Sequence, residues 1–547
     1  MSKNNHSKNL LLNNRPVHEI WGNNGGVSTM DPISSKIGVD ILNNGGNAVD
    51  ASIAISSTLS VISPNWSGLA GDSVWLYYDS KNKKTFHLDG YSTCPAKASL
   101  EKLKKLLKLK NNKKCLEEEP AGIRNTGVQT SMVPGTPFLL DYAWKKWGSK
   151  KFQKLIEPSI KLAREGFPIS DYLYKAFNEN NKKINQFSST KRLIKKNKKI
   201  LPGSTFIQQD LADTLERFSI NRSNEFRNGL TVKKIIHYMK NKNYLFSLND
   251  FKKYKVKERK IFQTNFRDHQ IISTGMPTSG ISLLQSFKLL EKFNLNNCKF
   301  LSDKYFVLLA KILQKILIER RQNSSDPDFI NFDQSLLLNN ESIKKSLNKK
   351  NYTLKKNNNN KGGTTHFCVW DKYDNIVSGT QSIGYQFGCG EVIEDTGLFM
   401  NDRTWWMSLD KNSVNKVMPN KRCNIGHAPT IIFKNKKPII TIGSPGGFGI
   451  IQYIFQVLSH IIIHNQNIQT AIDLPRFKIG TNFKEIFVEN RFNQSLYKSL
   501  IKNGFSVKLL PEWTDIVGGV EGIQKNKDEN FLCGYDVRRN SSAIALI

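Results

Sequence analysis

A stretch rich in lysine and asparagine, residues 346–361, divides the chain into two unequal parts. It is too polar to be buried, and we therefore predict a solvated linker there. The linker leads into the run Gly362-Gly363-Thr364-Thr365-His366, where a strand-like segment begins. Such a run is typical of a loop that enters a strand. A threonine behind a flexible glycine pair can also attack the peptide carbonyl before it and emerge as a new N-terminus, so a self-cleavage point is the alternative.

The charge of the chain raises the question of an anionic partner. Its 547 residues include 81 Lys and Arg against 46 Asp and Glu, a net charge of +35, and such an excess is common in proteins that bind nucleic acid or anionic membranes. Lys and Asn are, however, spread over every segment, without interleaved aromatic residues or a recognisable reader motif. We therefore expect a solvated basic surface, with neither nucleic acid nor a membrane as a partner.

The cysteines and the N-terminus bear on the compartment. Seven scattered cysteines, never spaced as Cys-x-x-Cys, argue against a disulfide framework or a zinc site and fit a reducing compartment. Residues 1–16 are polar and do not have the pattern of a secretory signal peptide. The most apolar helix-like stretch, residues 450–463, is interrupted by glutamine, serine and histidine, so we do not expect a membrane span. We predict a cytoplasmic protein that needs no metal or cofactor.

The pattern of elements changes at the linker. Before it, Asp31 and Pro32 have the pattern of a helix start, and residues 47–61 form a second helix whose small residues favour close packing. Helical patterns at 137–147 and 305–320 follow strands at 74–78 and 85–88. After the linker, strands are predicted at 365–370, 376–382, 430–433, 439–442, 523–524 and 531–532. This order predicts a layered α/β (α+β) protein with strands face to face and helices outside.

Six segments stand out along the chain, in this order: Gly45-Gly46-Asn47-Ala48-Val49-Asp50-Ala51, Ser67-Gly68-Leu69-Ala70-Gly71-Asp72, Thr364-Thr365-His366, Pro419-Asn420-Lys421-Arg422, Gly443-Ser444-Pro445-Gly446-Gly447 and Gly534-Tyr535-Asp536-Val537-Arg538. Together they resemble the γ-glutamyltranspeptidase family of N-terminal-nucleophile hydrolases. The resemblance covers residue 26 to the end and implies a four-layer αββα sandwich. It implies a polar leader at 1–25, a large-subunit portion at 26–363 that includes the linker, and a small-subunit portion at 364–547, both portions forming one composite domain.

The resemblance implies a proenzyme cut between Gly363 and Thr364 into two fragments that stay associated. Thr364 would then attack an amide carbonyl with its own α-amine as base and carry the acyl group. The N–H groups of Gly446 and Gly447 would hold the oxyanion, although a glycine-rich turn or a phosphate cradle are the other interpretations of this segment.

Three neighbouring polar residues receive different assignments. Thr380 matches the family's second threonine, whose hydroxyl supports the nucleophile; out of context it would be an ordinary strand residue. His366 faces the same side as Thr364, but we do not assign it as the base because the α-amine already has that role. Asn47 and Asp50 are expected to be structural at a helix junction.

The glutamyl-binding positions of the family are not retained. Tyr91 stands where the family has an arginine for the substrate carboxylate, Arg403 and Trp406 stand at its ammonium-binding positions, and Gly384 replaces a binding asparagine. The family's paired serines become Ile425 and Gly426. Arg403 could pair bidentately with a substrate carboxylate, or it could be structural.

Three functions are therefore open. The leading hypothesis is a self-processed amidohydrolase for a small carboxylate-bearing amide, similar to the divergent family branch with oxamate amidohydrolases and cephalosporin acylases. The alternative within the family is a γ-glutamyl transpeptidase or glutathione hydrolase. A non-enzymatic, basic nucleic-acid-binding protein on a hydrolase fold is the alternative from another class, and the intact Thr364, Thr380 and Gly446-Gly447 argue against it.

Overall fold

Two seven-stranded antiparallel sheets organise the protein. The computed structural model describes residues 18–107, 126–197, 199–295, 298–348 and 362–547. Its strands are β1 Ile20–Gly22, β2 Gly26–Thr29, β3 Asp72–Asp79, β4 Lys84–Gly90, β5 Phe167–Pro168, β6 Thr205–Phe206, β7 Lys257–Arg259, β8 Ile261–Phe266, β9 His269–Thr274, β10 Gly362–Trp370, β11 Ile376–Tyr385, β12 Thr430–Lys434, β13 Lys437–Gly443, β14 Phe477–Ile479, β15 Glu485–Glu489, β16 Ser506–Leu510, β17 Glu521–Lys525, β18 Phe531–Gly534 and β19 Ser542–Ala545.

The helices are concentrated between β4 and β10. They span Pro32–Asn43, Ala48–Ile62, Leu100–Leu106, Thr136–Trp147, Phe152–Glu165, Asp171–Glu179, Asn181–Ile184, Ser188–Lys196, Gln209–Asn221, Leu230–Asn241, Leu248–Lys252, Gly280–Leu290, Asp303–Asn323, Asn340–Asn348, Ile450–His464, Ile468–Asp473 and Gln494–Lys502.

The sheets pack face to face between helices. One has the order β1-β18-β17-β13-β12-β9-β8, the other β19-β2-β10-β11-β3-β4-β7. A shared apolar layer joins them, with Leu76 and Trp370 from the second sheet against Ile431 and Phe433 from the first. Helix Ala48–Ile62 covers β10 and β11, and helices Gly280–Leu290 and Ile450–His464 cover the other sheet. The predicted αββα sandwich is confirmed.

Strands from the two sides of residue 364 alternate within both sheets. β18, β17, β13 and β12 lie between β1 and β9 in one sheet, and β2 lies between β19 and β10 in the other. Five strand pairings therefore join a strand that precedes residue 364 to one that follows it.

The first two helices begin with side-chain caps. The Asp31 carboxylate accepts the Ile33 N–H, as the sequence indicates. Asn47 and Asp50 form a reciprocal capping box at the second helix, and Asp50 also accepts the N–H of Ser149. These contacts give Asn47 and Asp50 the structural role expected of them. Every residue of Ala48–Ile62 is buried, so its small side chains allow the close packing that we predict.

Three segments differ from the sequence expectations or add to them. β1 lies inside the predicted polar leader, where it pairs with β18 at the sheet edge. Residues 346–348 of the predicted linker belong to helix Asn340–Asn348, and the rest of the linker lies outside the described residues. The window Gly447–His464 is long and apolar enough to cross a membrane, but 89% of it is buried inside the protein, as in a core helix.

Candidate active site

Thr364 lies at an irregularity between β10 and β11. Gly363 pairs with Gly384 and Thr365 pairs with Gln381, so Thr364 opposes two residues of β11 instead of one. Such a bulge re-aims a side chain and is common beside active sites. Thr364 is buried in the uncut chain. The bulge places its hydroxyl opposite Ser382.

The Ser382 hydroxyl joins the groups that a self-cleavage reaction would use. It donates a hydrogen bond to the carbonyl oxygen of Gly363, accepts one from the N–H of Gly384 at 3.0 Å, and lies 3.5 Å from Thr364 Oγ1. A hydroxyl has one hydrogen to donate and two lone pairs, so these three contacts use its full capacity. Ser382 thus connects the candidate nucleophile to the carbonyl that it would attack.

Thr380 does not occupy the place that the sequence analysis gave it. Its Oγ1 lies 2.8 Å from His366 Nδ1, and the hydroxyl beside Thr364 is that of Ser382. Residues 380 and 382 share a strand face, which is why the sequence pattern alone did not separate them. The contact with Thr364 that was expected of Thr380 is therefore made by Ser382, two residues further along β11.

His366 is buried between the two sheets. A Cβ at Gly443 on the facing sheet would collide with its ring, and burial lowers its pKa to about 3. The imidazole is neutral at physiological pH and its Nδ1 is engaged by Thr380. These contacts agree with leaving His366 out of the catalytic set.

Gly446 and Gly447 form the turn before helix Ile450–His464. Their φ angles are +126° and +60°, a region that favours glycine. A Cβ built on Gly362 would lie 2.9 Å from the Cα of Gly447, so this turn faces the residues that precede Thr364. Neither amide N–H donates a hydrogen bond to another described residue. The arrangement fits donors for an oxyanion, with a helix N-terminus behind them.

Aromatic rings cover this turn. Trp406 Cη2 lies 3.2 Å from the Cβ position of Gly447 and 3.6 Å from that of Gly362. The Trp406 ring packs on Phe448 with centroids 4.9 Å apart. Trp406 therefore borders the candidate site through apolar contacts.

Gly384 gives space to a carboxylate. It has a φ of +103°, and a Cβ there would collide with Asp402 Oδ1. That oxygen accepts the Tyr385 N–H at 2.9 Å, whereas Asp402 Oδ2 is buried without a hydrogen-bond partner among the described residues. Burial raises the pKa of Asp402 to about 6. Asp402 has no distinguishing sequence pattern, and its proximity to Gly384 arises only in the folded structure.

Arg403 is bound to a carboxylate of the protein itself. Its Nε and Nη2 donate to Asp72 at 2.6 and 2.7 Å, and both side chains are buried. Burial by itself would lower the pKa of Arg403, but the Asp72 charge raises it above the ordinary value. Of the two roles left open for Arg403, these contacts favour the structural one. The pair of N–H donors that would bind a substrate carboxylate bidentately is already bound to Asp72.

Tyr91 is also fully buried. Its hydroxyl lies 3.3 Å from His427 Nδ1, and its carbonyl oxygen accepts a hydrogen bond from Tyr254. Burial raises the pKa of Tyr91 well above its ordinary value. The structure therefore brings Thr364, Trp406, Gly384, Gly446 and Gly447 together, whereas Tyr91 and Arg403 belong to internal polar contacts. In the described part of the chain, no group of His, Cys, Asp and Glu is arranged to hold a metal ion.

Comparison with known proteins identifies the family. The family described as Gamma-glutamyltranspeptidase matches residues 34–546. The chain belongs to this family. It is accordingly an enzyme of the N-terminal-nucleophile hydrolase class.

Individual relatives show the range of the family. The glutathione hydrolase proenzyme of Bacillus subtilis is 31% identical over 96% of this chain and 92% of its own length. The capsule biosynthesis protein CapD proenzyme of Bacillus anthracis is 28% identical over 94% of this chain and 90% of its own. Among solved structures, cephalosporin acylase from Bacillus halodurans has the same fold, with a TM-score of 0.87, 23% identity and 97% of each chain covered.

Proposed function

We propose that this chain cuts itself between Gly363 and Thr364 and then hydrolyses an amide bond of a small substrate through an acyl-threonine intermediate. The observation that carries the proposal is the Ser382 hydroxyl, which donates to the Gly363 carbonyl oxygen and contacts Thr364 Oγ1. Relatives over nearly the whole chain are named as proenzymes, which supports it.

The self-cleavage step begins at Thr364 Oγ1. This oxygen attacks the Gly363 carbonyl carbon, and the negative charge that forms on the carbonyl oxygen is held by the Ser382 O–H. The C–N bond then breaks, and the proton from Oγ1 ends on the Thr364 nitrogen. An ester joins Gly363 to Thr364 until water hydrolyses it to a carboxylate and a free hydroxyl.

Substrate turnover uses the same hydroxyl with a new base. The freed α-amine of Thr364 takes the Oγ1 proton as the oxygen attacks the substrate amide, and the leaving amine departs with that proton. The N–H groups of Gly446 and Gly447 stabilise the tetrahedral oxyanion, because the turn that they form contacts Gly362 through Gly447 in the uncut chain. Water then releases the acyl group from Thr364.

For the substrate, we propose an amide that bears a carboxylate, as in the divergent branch of the family. The loss of an arginine at Tyr91 and the pairing of Arg403 with Asp72 support a pocket that differs from a γ-glutamyl site. Glutathione hydrolysis is the second candidate. It is favoured by the B. subtilis relative. It is also favoured by Asp402 beside Gly384, because its buried Oδ2 has no hydrogen-bond partner among the described residues and could accept a hydrogen bond from a substrate ammonium.

Three chromogenic amides with one leaving group test these proposals: γ-glutamyl p-nitroanilide, glutaryl p-nitroanilide and the methyl ester of the latter. Intact mass should first show two fragments, the smaller beginning at Thr364. Preferred turnover of the glutaryl compound supports the divergent branch, and preferred turnover of the γ-glutamyl compound supports glutathione hydrolysis. A folded, uncut wild-type chain would refute both.

A further inference from the structure

Arg320 is a buried cation near the end of helix Asp303–Asn323. Its side chain is 5% exposed. Nη2 donates to Asn424 Oδ1 at 2.5 Å and to the Ile425 carbonyl oxygen at 2.9 Å, whereas Nε has no hydrogen-bond partner among the described residues. Neither of these partners is charged. A buried arginine is normally paired with a carboxylate, so its environment is incomplete without an anion.

The nearby buried arginines differ from Arg320 in this respect. Arg403 is held by Asp72, and Arg422 and Arg259 both contact Asp89. Within the described ranges, Arg320 forms no ion pair. Its burial lowers its pKa to about 10, which leaves it charged at physiological pH. The protein therefore keeps one guanidinium here without a neutralising side chain.

Arg320 adjoins the candidate oxyanion turn in two ways. Its guanidinium carbon lies 5.3 Å from the centroid of Phe448, the residue after Gly447. It also holds the carbonyl of Ile425, and the next residue, Gly426, is so close that a Cβ there would collide with the Gly447 carbonyl oxygen. Only the Phe448 side chain thus separates the cation from the turn that would hold the oxyanion.

The space beside this turn is occupied in the uncut chain. Gly362 lies between Gly447 and Trp406, and Trp406 packs on Phe448. When Gly363 and the residues before it leave after cleavage, a substrate can enter the same space. A substrate in that space would lie beside Trp406, whose ring packs on Phe448, the residue that Arg320 adjoins.

We infer that Arg320 is the residue that binds the substrate carboxylate, a role that rests on the proposed amidohydrolase function. Nη2 already holds Asn424 and Ile425, so a substrate carboxylate would accept from one remaining donor, the Nε–H, which has no partner among the described residues. The guanidinium would hold this ligand through its buried positive charge and one charge-assisted hydrogen bond. Arg320 acts here as a specificity-determining group, and Thr364 and the glycine turn perform the chemistry.

The experiment compares glutaryl p-nitroanilide with its methyl ester in the wild type and in Arg320→Gln. Both probes have the same scissile amide, and only one has a carboxylate. We expect Arg320→Gln to lower kcat/KM for the acid by about 10- to 100-fold, the usual effect of losing a charged hydrogen bond, and to leave the ester within about threefold. Arg321→Gln, the same change on the exposed next residue of the helix, is the matched control and should alter neither.

Each outcome is decisive. An equal loss for acid and ester in Arg320→Gln, with cleavage at Thr364 intact, overturns the inference and leaves the proposed function standing. An uncut wild-type chain, or one that turns over none of the probes, refutes the proposed function and the inference with it. If Arg320→Gln does not process, Arg320→Lys replaces it. That variant retains the charge but lacks the Nε donor, so the inference requires a selective loss for the acid, and an equal loss refutes it.

Discussion

Removal of the Ser382 hydroxyl should slow self-cleavage while leaving the sheet in place. In the uncut chain this hydroxyl donates to the carbonyl oxygen of Gly363, where negative charge develops during attack by Thr364. Loss of one preorganised oxyanion donor typically costs about 3 to 4 kcal/mol of transition-state stabilisation, or about 100- to 1,000-fold in rate. Ser382→Ala also leaves the Gly384 N–H without its acceptor. We therefore expect cleavage to be at least about 100-fold slower.

The assay follows newly synthesised chain in a cell-free system by gel and intact mass, from the 62.3 kDa precursor to two fragments. Ser382→Thr retains the hydroxyl and should restore most of the rate. Thr380→Ala removes a hydroxyl from the same strand face, two residues away, where its partner is His366. It should cleave within a few-fold of the wild-type rate. The assignment is refuted if Ser382→Ala cleaves at the wild-type rate, or if Thr380→Ala is equally slow.

Three further predictions use the precursor. Thr364→Ala removes the attacking oxygen, so intact mass should find a single chain, and any cleavage at Gly363 in this variant contradicts the mechanism. In that background, Arg403→Ala should lower the free energy of unfolding by about 3 to 5 kcal/mol in urea, because it leaves Asp72 buried and unpaired; a loss below about 1 kcal/mol would show that the pair is unimportant. Burial raises the pKa of Asp402 from 3.8 to about 6, so its protonation contributes to the free energy of unfolding. This contribution is fully present below pH 3.8, and about 3 kcal/mol is lost as pH rises through 6. Asp402→Asn should remove that part of the pH dependence of unfolding, and an unchanged profile in this variant would show that Asp402 ionises normally.

Sequence periodicity predicted the strands that contain the site, because hairpin turns and alternating apolar residues are local signals. The sandwich itself followed from the family resemblance. The identity of the supporting hydroxyl was not predictable in the same way, since it depends on a bulge between β10 and β11 that changes the pairing at Thr364. A shift of this kind leaves no trace in the pattern of either strand.

Contacts between distant parts of the chain were also not predictable from the sequence. Arg403 had the correct chemistry for a carboxylate ligand, but its partner Asp72 lies 331 residues away. Arg320 was overlooked for the opposite reason. Its significance is the lack of a charged partner, which becomes evident only after the surrounding residues have been placed by folding.

The alternation of strands from both sides of residue 364 has a consequence for recovery from denaturation. A precursor refolds by a first-order reaction, since all strands belong to one molecule. After the cut, five strand pairings become contacts between two separate chains. Denaturant separates the two chains, and after dilution of the denaturant the chains must associate before either sheet can be completed. Refolding of the mature enzyme should therefore become second order and fail at low concentration, so that a single peptide-bond cleavage turns unfolding into a practically one-way event.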